Sequence, residues 1–141
     1  VASQFIAPIV AWLVGVLRNI QWTEGLAPFA QVTQSWTGVV INWPPAAVMP
    51  RTSGFDPEIS AGSHSENLLT VKFGVNGPDP DQVAADAMSY MLAVDAAIEA
   101  APRLPQISRV CVQAHDYGPL YEMDGGFAKF PELHLVVEVY E

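Results

Sequence analysis

Residues 79–101, DPDQVAADAMSYMLAVDAAIEAA, constrain the fold most, because both ends of one long helix are marked in the sequence. Asp79 suits the N-cap, where a carboxylate accepts an orphan backbone N–H. Pro80 suits the first helical position, which needs no N–H. Gln82 gives a capping-box-like spacing, and Asp81 favours the positive end of the helix dipole. Val83, Ala87, Met91, Val94 and Ile98 then recur at helical spacing, and Met88 and Leu92 widen the stripe. Asp86, Asp95 and Glu99 mark a wet side. The spacing predicts a helix from Pro80 to Ala101, ended by Pro102.

Strand patterns flank this helix. In ENLLTVKFGV (66–75), Leu69, Val71, Phe73 and Val75 share one face, and Leu68, Thr70, Lys72 and Gly74 share the other. One apolar and one mixed face suit a sheet covered on one side. Asn76-Gly77 reads as a turn. ISRVCVQAH (107–115) and ELHLVVEVY (132–140) read as two further strands, and SWTGVVINW (35–43) as a fourth, stopped by Pro44 and Pro45. FIAPIVAWLVGVLRNI (5–20) carries Phe5, Ile9, Trp12, Leu13, Val16 and Leu17 on one face, so 3–18 is expected to be helical, capped by Ser3. It falls short of the roughly 20 apolar residues of a membrane span and lacks a basic leader, so a buried or interface helix is the expectation. Two long irregular connections remain, 44–65 and 116–131, the second tipped by Gly125-Gly126. A connection of about 20 residues is unusual in a compact domain and is often functional.

These elements give one α+β domain over residues 1–141. It has a small four-stranded sheet, mainly antiparallel or mixed, with two helices on one face and two long loops. Four strands leave two edges, which are ready pairing sites for another subunit.

Composition narrows the function. Half the residues are apolar and 15% are charged, below the roughly 25% usual for soluble domains. Trp12, Trp22, Trp36 and Trp43 all lie in the first third, where they fill a core or meet a partner. The net charge is −9, and nearly all of it falls after residue 65. No basic cluster offers the counterion release that drives nucleic-acid binding. Cys111 is the only cysteine, so no internal disulfide forms, and in Val-Cys-Val it reads as a small apolar residue.

Reactive constellations are weak. No glycine-rich phosphate motif follows a strand. His64, His115 and His134 are scattered, without metal-ligand spacing. Ser63-His64-Ser65 lacks a nucleophile-elbow motif. Asp116, Glu122, Asp124, Glu132 and Glu138 suggest paired carboxylates, but so small a chain leaves little room for a glycan cleft. No enzyme activity, cofactor or metal is expected.

The element order carries a resemblance. An N-terminal helix leads to a strand ending in prolines. ENLLTVKFGV precedes the DPDQVAADAMSYMLAVDAAIEA helix, and RVCVQAHDYG and FPELHLVVEVY follow, separated by a loop. This layout resembles the tail terminator (tail completion, or neck) proteins of long-tailed phages and gene transfer particles. The resemblance implies a hexameric ring that caps the tail tube, ends its growth and joins tail to head in the virion. The implied partners are copies of the chain, the tail tube protein and a head–tail connector, with no membrane. DNA passes the central hole without specific binding, and the protein is made in the host cytoplasm. Under this reading the two loops are contact regions: Trp43, Met49, Arg51 and Phe55 in the first, and Asp116, Tyr117, Tyr121, Phe127 and Lys129 in the second. Packing of these loops onto their own domain is the competing expectation. Asp86, Asp95 and Glu99 are candidates for a wet or channel-facing surface. The rival functions are another connector, a tail tube subunit, a small cytoplasmic oligomeric binding protein, and an enzyme whose site is shared between subunits at His115.

Overall fold

The computed structural model describes residues 6–22, 25–36, 42–55 and 64–140, and of residues 52–55 and 64 the backbone alone. Ser3, Phe5 and most of the expected strand 35–43 lie outside the described residues.

The fold is α+β. Among the described residues, helices α1 (Ile6–Arg18) and α2 (Pro80–Ala100) accompany eight strands: β1 (Gln31–Thr33), β2 (Pro45–Phe55), β3 (His64–Phe73), β4 (Val75–Gly77), β5 (Ile107–Asp116), β6 (Tyr121–Met123), β7 (Gly126–Lys129) and β8 (Glu132–Tyr140). One sheet has five strands in the order β1-β2-β3-β8-β5, and a second has three in the order β4-β7-β6. The expected single four-stranded sheet is therefore corrected to two sheets. β1 pairs parallel with β2, and every other pairing is antiparallel.

Both expected loops contain strands. β2 occupies much of the first, and residues 56–63 of that segment lie outside the described residues. Prolines were expected to end a strand at Pro44, yet β2 begins at Pro45 and contains Pro50. Pro50 adjoins the register shift at Arg51, beyond the three residues where β1 pairs, so the missing N–H is tolerated there. The second loop holds the β6–β7 hairpin, whose turn uses Gly125 at φ 83°. Asn76-Gly77 is not a turn but part of β4, which pairs with β7.

Gly74 joins β3 to β4. A Cβ there would lie 2.9 Å from the Trp43 ring and 3.2 Å from the Phe130 ring, so this close approach needs glycine. Gly126 is tighter still, since its Cβ would meet the Gly77 carbonyl oxygen at 2.5 Å.

The core lies between the five-stranded sheet and the helices. Leu69, Val71 and Phe73 of β3 and Leu133, Leu135, Val137 and Val139 of β8 are fully buried. They meet Ile9, Leu13 and Leu17 of α1 and Val83, Ala87, Met91, Val94 and Ile98 of α2. Tyr90 joins this face and, with Trp22, Phe29 and Phe73, forms an aromatic cluster with centroids 4.9–6.1 Å apart. Its hydroxyl donates to the Ala27 carbonyl. Burial, helped by the nearby Asp86 carboxylate, raises its pKa above 10.0.

Details of α2 differ from expectation. Asp79 accepts from the Asp81 N–H at 3.0 Å, as an N-cap does. Gln82 does not complete a capping box; its amide donates to Asp86 Oδ1 at 2.8 Å, one turn along the helix. Met88 and Leu92 do not widen the buried stripe but are 51% and 63% exposed. At the far end, Arg103 donates to the carbonyls of Ile98 (2.6 Å) and Ala101 (2.9 Å), placing a cation at the negative end of the dipole.

Candidate functional site

Among the described residues, the other face of the five-stranded sheet carries no helix. Register places Ala47 and Met49 of β2, Leu68, Thr70 and Lys72 of β3, His134, Val136 and Glu138 of β8, and Arg109 and Cys111 of β5 on this side. Its centre is nevertheless poor in solvent contact. Ala47, Thr70 and Val136 are buried, and Met49, Leu68 and Cys111 are half-buried.

A polar group sits in the middle. Arg51 occupies the bulge of β2, and its Nη1 lies 3.3 Å from His134 Nδ1. Thr70 Oγ1 lies 3.0 Å from the same nitrogen. A guanidinium can only donate, so Nδ1 must carry the lone pair and the proton sits on Nε2. Nε2 in turn faces Glu132 Oε1 at 3.8 Å. The bulge thus turns Arg51 back onto its own sheet.

An aromatic group closes one end. Phe130 is ringed by Trp36 (5.6 Å), Trp43 (5.8 Å) and Tyr121 (5.8 Å between centroids). Lys72 Nζ lies 4.9 Å from the Trp36 ring centre, a cation–π contact. The close fit at Gly74 lets the strand pass beneath these rings.

Two edges of the large sheet are unlike each other. Among the described residues, β2 beyond Ala47 has no partner on its outer side, and β5 pairs only with β8. β5 carries two register shifts, at Ser108 and Gln113.

The residues singled out from sequence scatter over these features. Met49 and Arg51 lie on the open face. Trp43 and Tyr121 belong to the aromatic group, although Tyr121 stays half exposed. The Phe55 backbone ends β2, and its side chain lies outside the described residues. Asp116 ends β5 and accepts from the Gly118 N–H at 3.0 Å, an Asx-turn. Tyr117 and Phe127 pack against the core cluster. Lys129 is half-buried on β7, opposite Val75. Most of these side chains therefore hold their own domain together.

Of Asp86, Asp95 and Glu99 on α2, Asp95 is committed. His115 Nε2 lies 2.6 Å from its Oδ2, joining α2 to the β5 edge, with the Tyr117 ring edge-on at 6.4 Å. His115 thus finds its acid within its own chain. Asp86 accepts from Gln82, and Glu99 is exposed. Among the described residues, no three His, Cys, Asp or Glu side chains converge as a metal site.

Sequence reasoning missed Thr70, His134, Phe130 and Trp36. His134 and Thr70 alternate with apolar residues on facing strands, which places both on the wet side, but their pairing needs the β3–β8 register. No protein-family model matches the chain, and no curated protein is significantly similar to it.

Proposed function

We propose that the chain is a structural subunit of the tail-terminator kind. Copies join edge to edge into a hexameric ring that caps a tail tube, contacts a head–tail connector and leaves a hole for DNA. The observation that supports this reading is the pair of unlike edges at opposite ends of one sheet: among the described residues, β2 beyond Ala47 and the outer side of β5 have no strand partner. From β2 through β3 and β8 to β5, each strand reverses the last. β5 of one copy and β2 of the next therefore meet antiparallel if the sheet simply continues. Such a contact is heterologous, and heterologous contacts make rings when the rotation closes. The main-chain groups of both edges supply the attraction, as in strand addition. The open face then runs from copy to copy around the ring, and Met49, Arg51 and the edge residue Asp116 fall near the joints.

The acids Asp86 and Glu99 remain the candidates for a wet surface on the helix layer. Met88 and Leu92 beside them make that layer a poorer lining for a DNA channel than the acids alone suggest.

One observation favours a second reading. Among the described residues, eight strands against two helices is a richer β content than the sequence promised, and tail tube subunits are mainly β-built and stack in many copies. Native mass spectrometry together with electron microscopy separates the two. A terminator gives single-layer rings near six times 15.2 kDa, or monomers that form a ring only on added tube ends. Stacked tubes of the chain alone favour the tube subunit. A chain that stays monomeric with tube ends present sinks both.

A further inference from the structure

The ring contact leaves the three-stranded sheet unused. β6 lies at its edge, and among the described residues the outer side of β6 has no strand partner. Residues 118–125 are exposed throughout. Among them Leu120, Tyr121 and Met123 are large apolar side chains left 42%, 50% and 42% exposed. Such side chains exposed together rather than singly mark a contact surface.

The β6–β7 hairpin and Pro78 border an open hollow of about 560 Å³. Pro78, Met123 and Phe127 form its apolar part, and Glu122 and Asp124 are the only charged residues that line it. Gly126 gives the hollow its shape. A Cβ there would meet the Gly77 carbonyl oxygen at 2.5 Å and lie 3.5 Å from Pro78 Cα, so the hairpin tip sits close against Gly77 and Pro78. The β4–β7 pairing holds it there, and a site already in shape loses little freedom on binding. Apolar walls with two carboxylates beside them suit the side chain of arginine or lysine, an apolar stem with a cationic tip.

From these features we infer that the β6–β7 hairpin docks an extended segment of a different protein, whose arginine or lysine side chain fills the hollow beside Glu122 and Asp124 and whose apolar neighbours cover Leu120, Tyr121 and Met123. An extended segment fits because β6 offers an open strand edge. Three residues supply few main-chain bonds, so the cation selects the partner. A second copy lacks the cations to offer. Of the six bases, four are engaged within their own chain: Arg18 by the Val32 carbonyl, Arg51 by His134, Lys72 by the Trp36 ring and Arg103 by two carbonyls. Of the other two, Lys129 is half-buried on β7, and Arg109 stands opposite Glu138 in the β5–β8 register. Two chains of net charge −9 also repel each other. None of this depends on the ring.

The test uses two extended peptides, one alternating valine with arginine and the other valine with glutamate. Binding to the full chain is followed by fluorescence anisotropy. The arginine peptide should bind and the glutamate peptide should not. Glu122→Gln together with Asp124→Asn removes both charges, keeps an Asn-Gly pair in the turn, and should weaken binding about fivefold or more. If circular dichroism shows that this variant does not fold, Glu122→Gln alone replaces it. Met123→Ala should weaken binding severalfold with no change of charge. Glu99→Gln, which removes an acid at the far end of α2, should leave it within about twofold. Absence of binding, or binding indifferent to Met123→Ala, overturns the inference. So does a loss in Glu99→Gln as large as in the hairpin variant, because net charge alone then explains the attraction. Native mass spectra of the same variants keep the two claims apart. Rings that the hairpin variant abolishes assign the hairpin to a second copy and overturn the inference. Peptide binding with the expected pattern, by a chain that never forms rings, supports it and sinks the ring alone.

Discussion

Leu135 and Val136 are neighbours on β8, yet their surroundings differ. Leu135 faces α1 and α2 across a closed core and is fully buried. Val136 lies on the opposite side, which carries no helix among the described residues, and is buried there too. The covered face is apolar and finished within one chain. The open face mixes Met49, Leu68, Val136 and Cys111 with Arg51, Thr70 and His134. A face of this kind is neither a core nor an ordinary wet surface. Its apolar centre is buried, and Arg51, Thr70 and His134 form a polar group within it. Burial alone does not mark the part of a sheet that carries stability; what lies above the side chain does.

The largest test of this difference is truncation at the two neighbours. Leu135→Ala should destabilise by about 2–5 kcal/mol in urea unfolding, because it opens a cavity under two helices. Val136→Ala should lose about 1 kcal/mol, since it removes a smaller side chain with no described helix packed above it. Equal losses would erase the distinction between the faces.

Next comes Asn67, which with Ser65 is a buried polar residue on the covered face. Its Nδ2 donates to the Val137 carbonyl at 3.2 Å and Ser65 Oγ at 3.3 Å, but its buried Oδ1 has no partner. An orphan acceptor costs about 1–3 kcal/mol, similar to what the two bonds return. Asn67→Leu should therefore stay within about 1 kcal/mol of the wild type in the same assay. A loss well beyond that would place an ordered water on Oδ1.

The link between helix layer and sheet edge should matter less. Asp95→Asn removes the charge opposite His115 in a pair that is about one-quarter exposed on each side. It should cost no more than about 1 kcal/mol. Hydrogen exchange of β5 amides should quicken while β3 amides stay protected, and uniform quickening would contradict a local role.

The smallest effect is visible only in alkali. Unfolded tyrosine loses its proton near pH 10, while burial holds that of Tyr90 longer. Below pH 10 this contribution is complete, and it shrinks as pH rises through the folded pKa, because the unfolded chain then binds fewer protons than the native one. Ultraviolet titration should show one late tyrosine, absent in Tyr90→Phe.

Sequence pattern revealed the covered face well and the open face poorly. The alternation of Leu69, Val71 and Phe73 and the stripe from Val83 to Ile98 are strong because burial under a second layer demands apolar residues at every inward position. The same stripe misplaced Met88 and Leu92, which are apolar at helical spacing but lie on the back of the helix. β2 stayed hidden because its prolines suit an edge and a bulge, which pattern cannot separate from a loop. β6 and β7 span only three and four residues, and β6 is exposed throughout, so no alternation marks them. Of the candidate site, Arg51 and Trp43 were legible as residue types out of place in a loop. Their partners His134 and Phe130 needed the register of strands far apart in sequence.

The extra residues at Arg51, Ser108 and Gln113 carry one more consequence. Each bends its strand and deepens the local twist. In the proposed ring, a neighbour that extends the sheet would inherit that bend, and the angle from one copy to the next would be set by three single-residue insertions. On that proposal, deleting one of them would alter how many copies complete a circle before it would alter whether one copy folds.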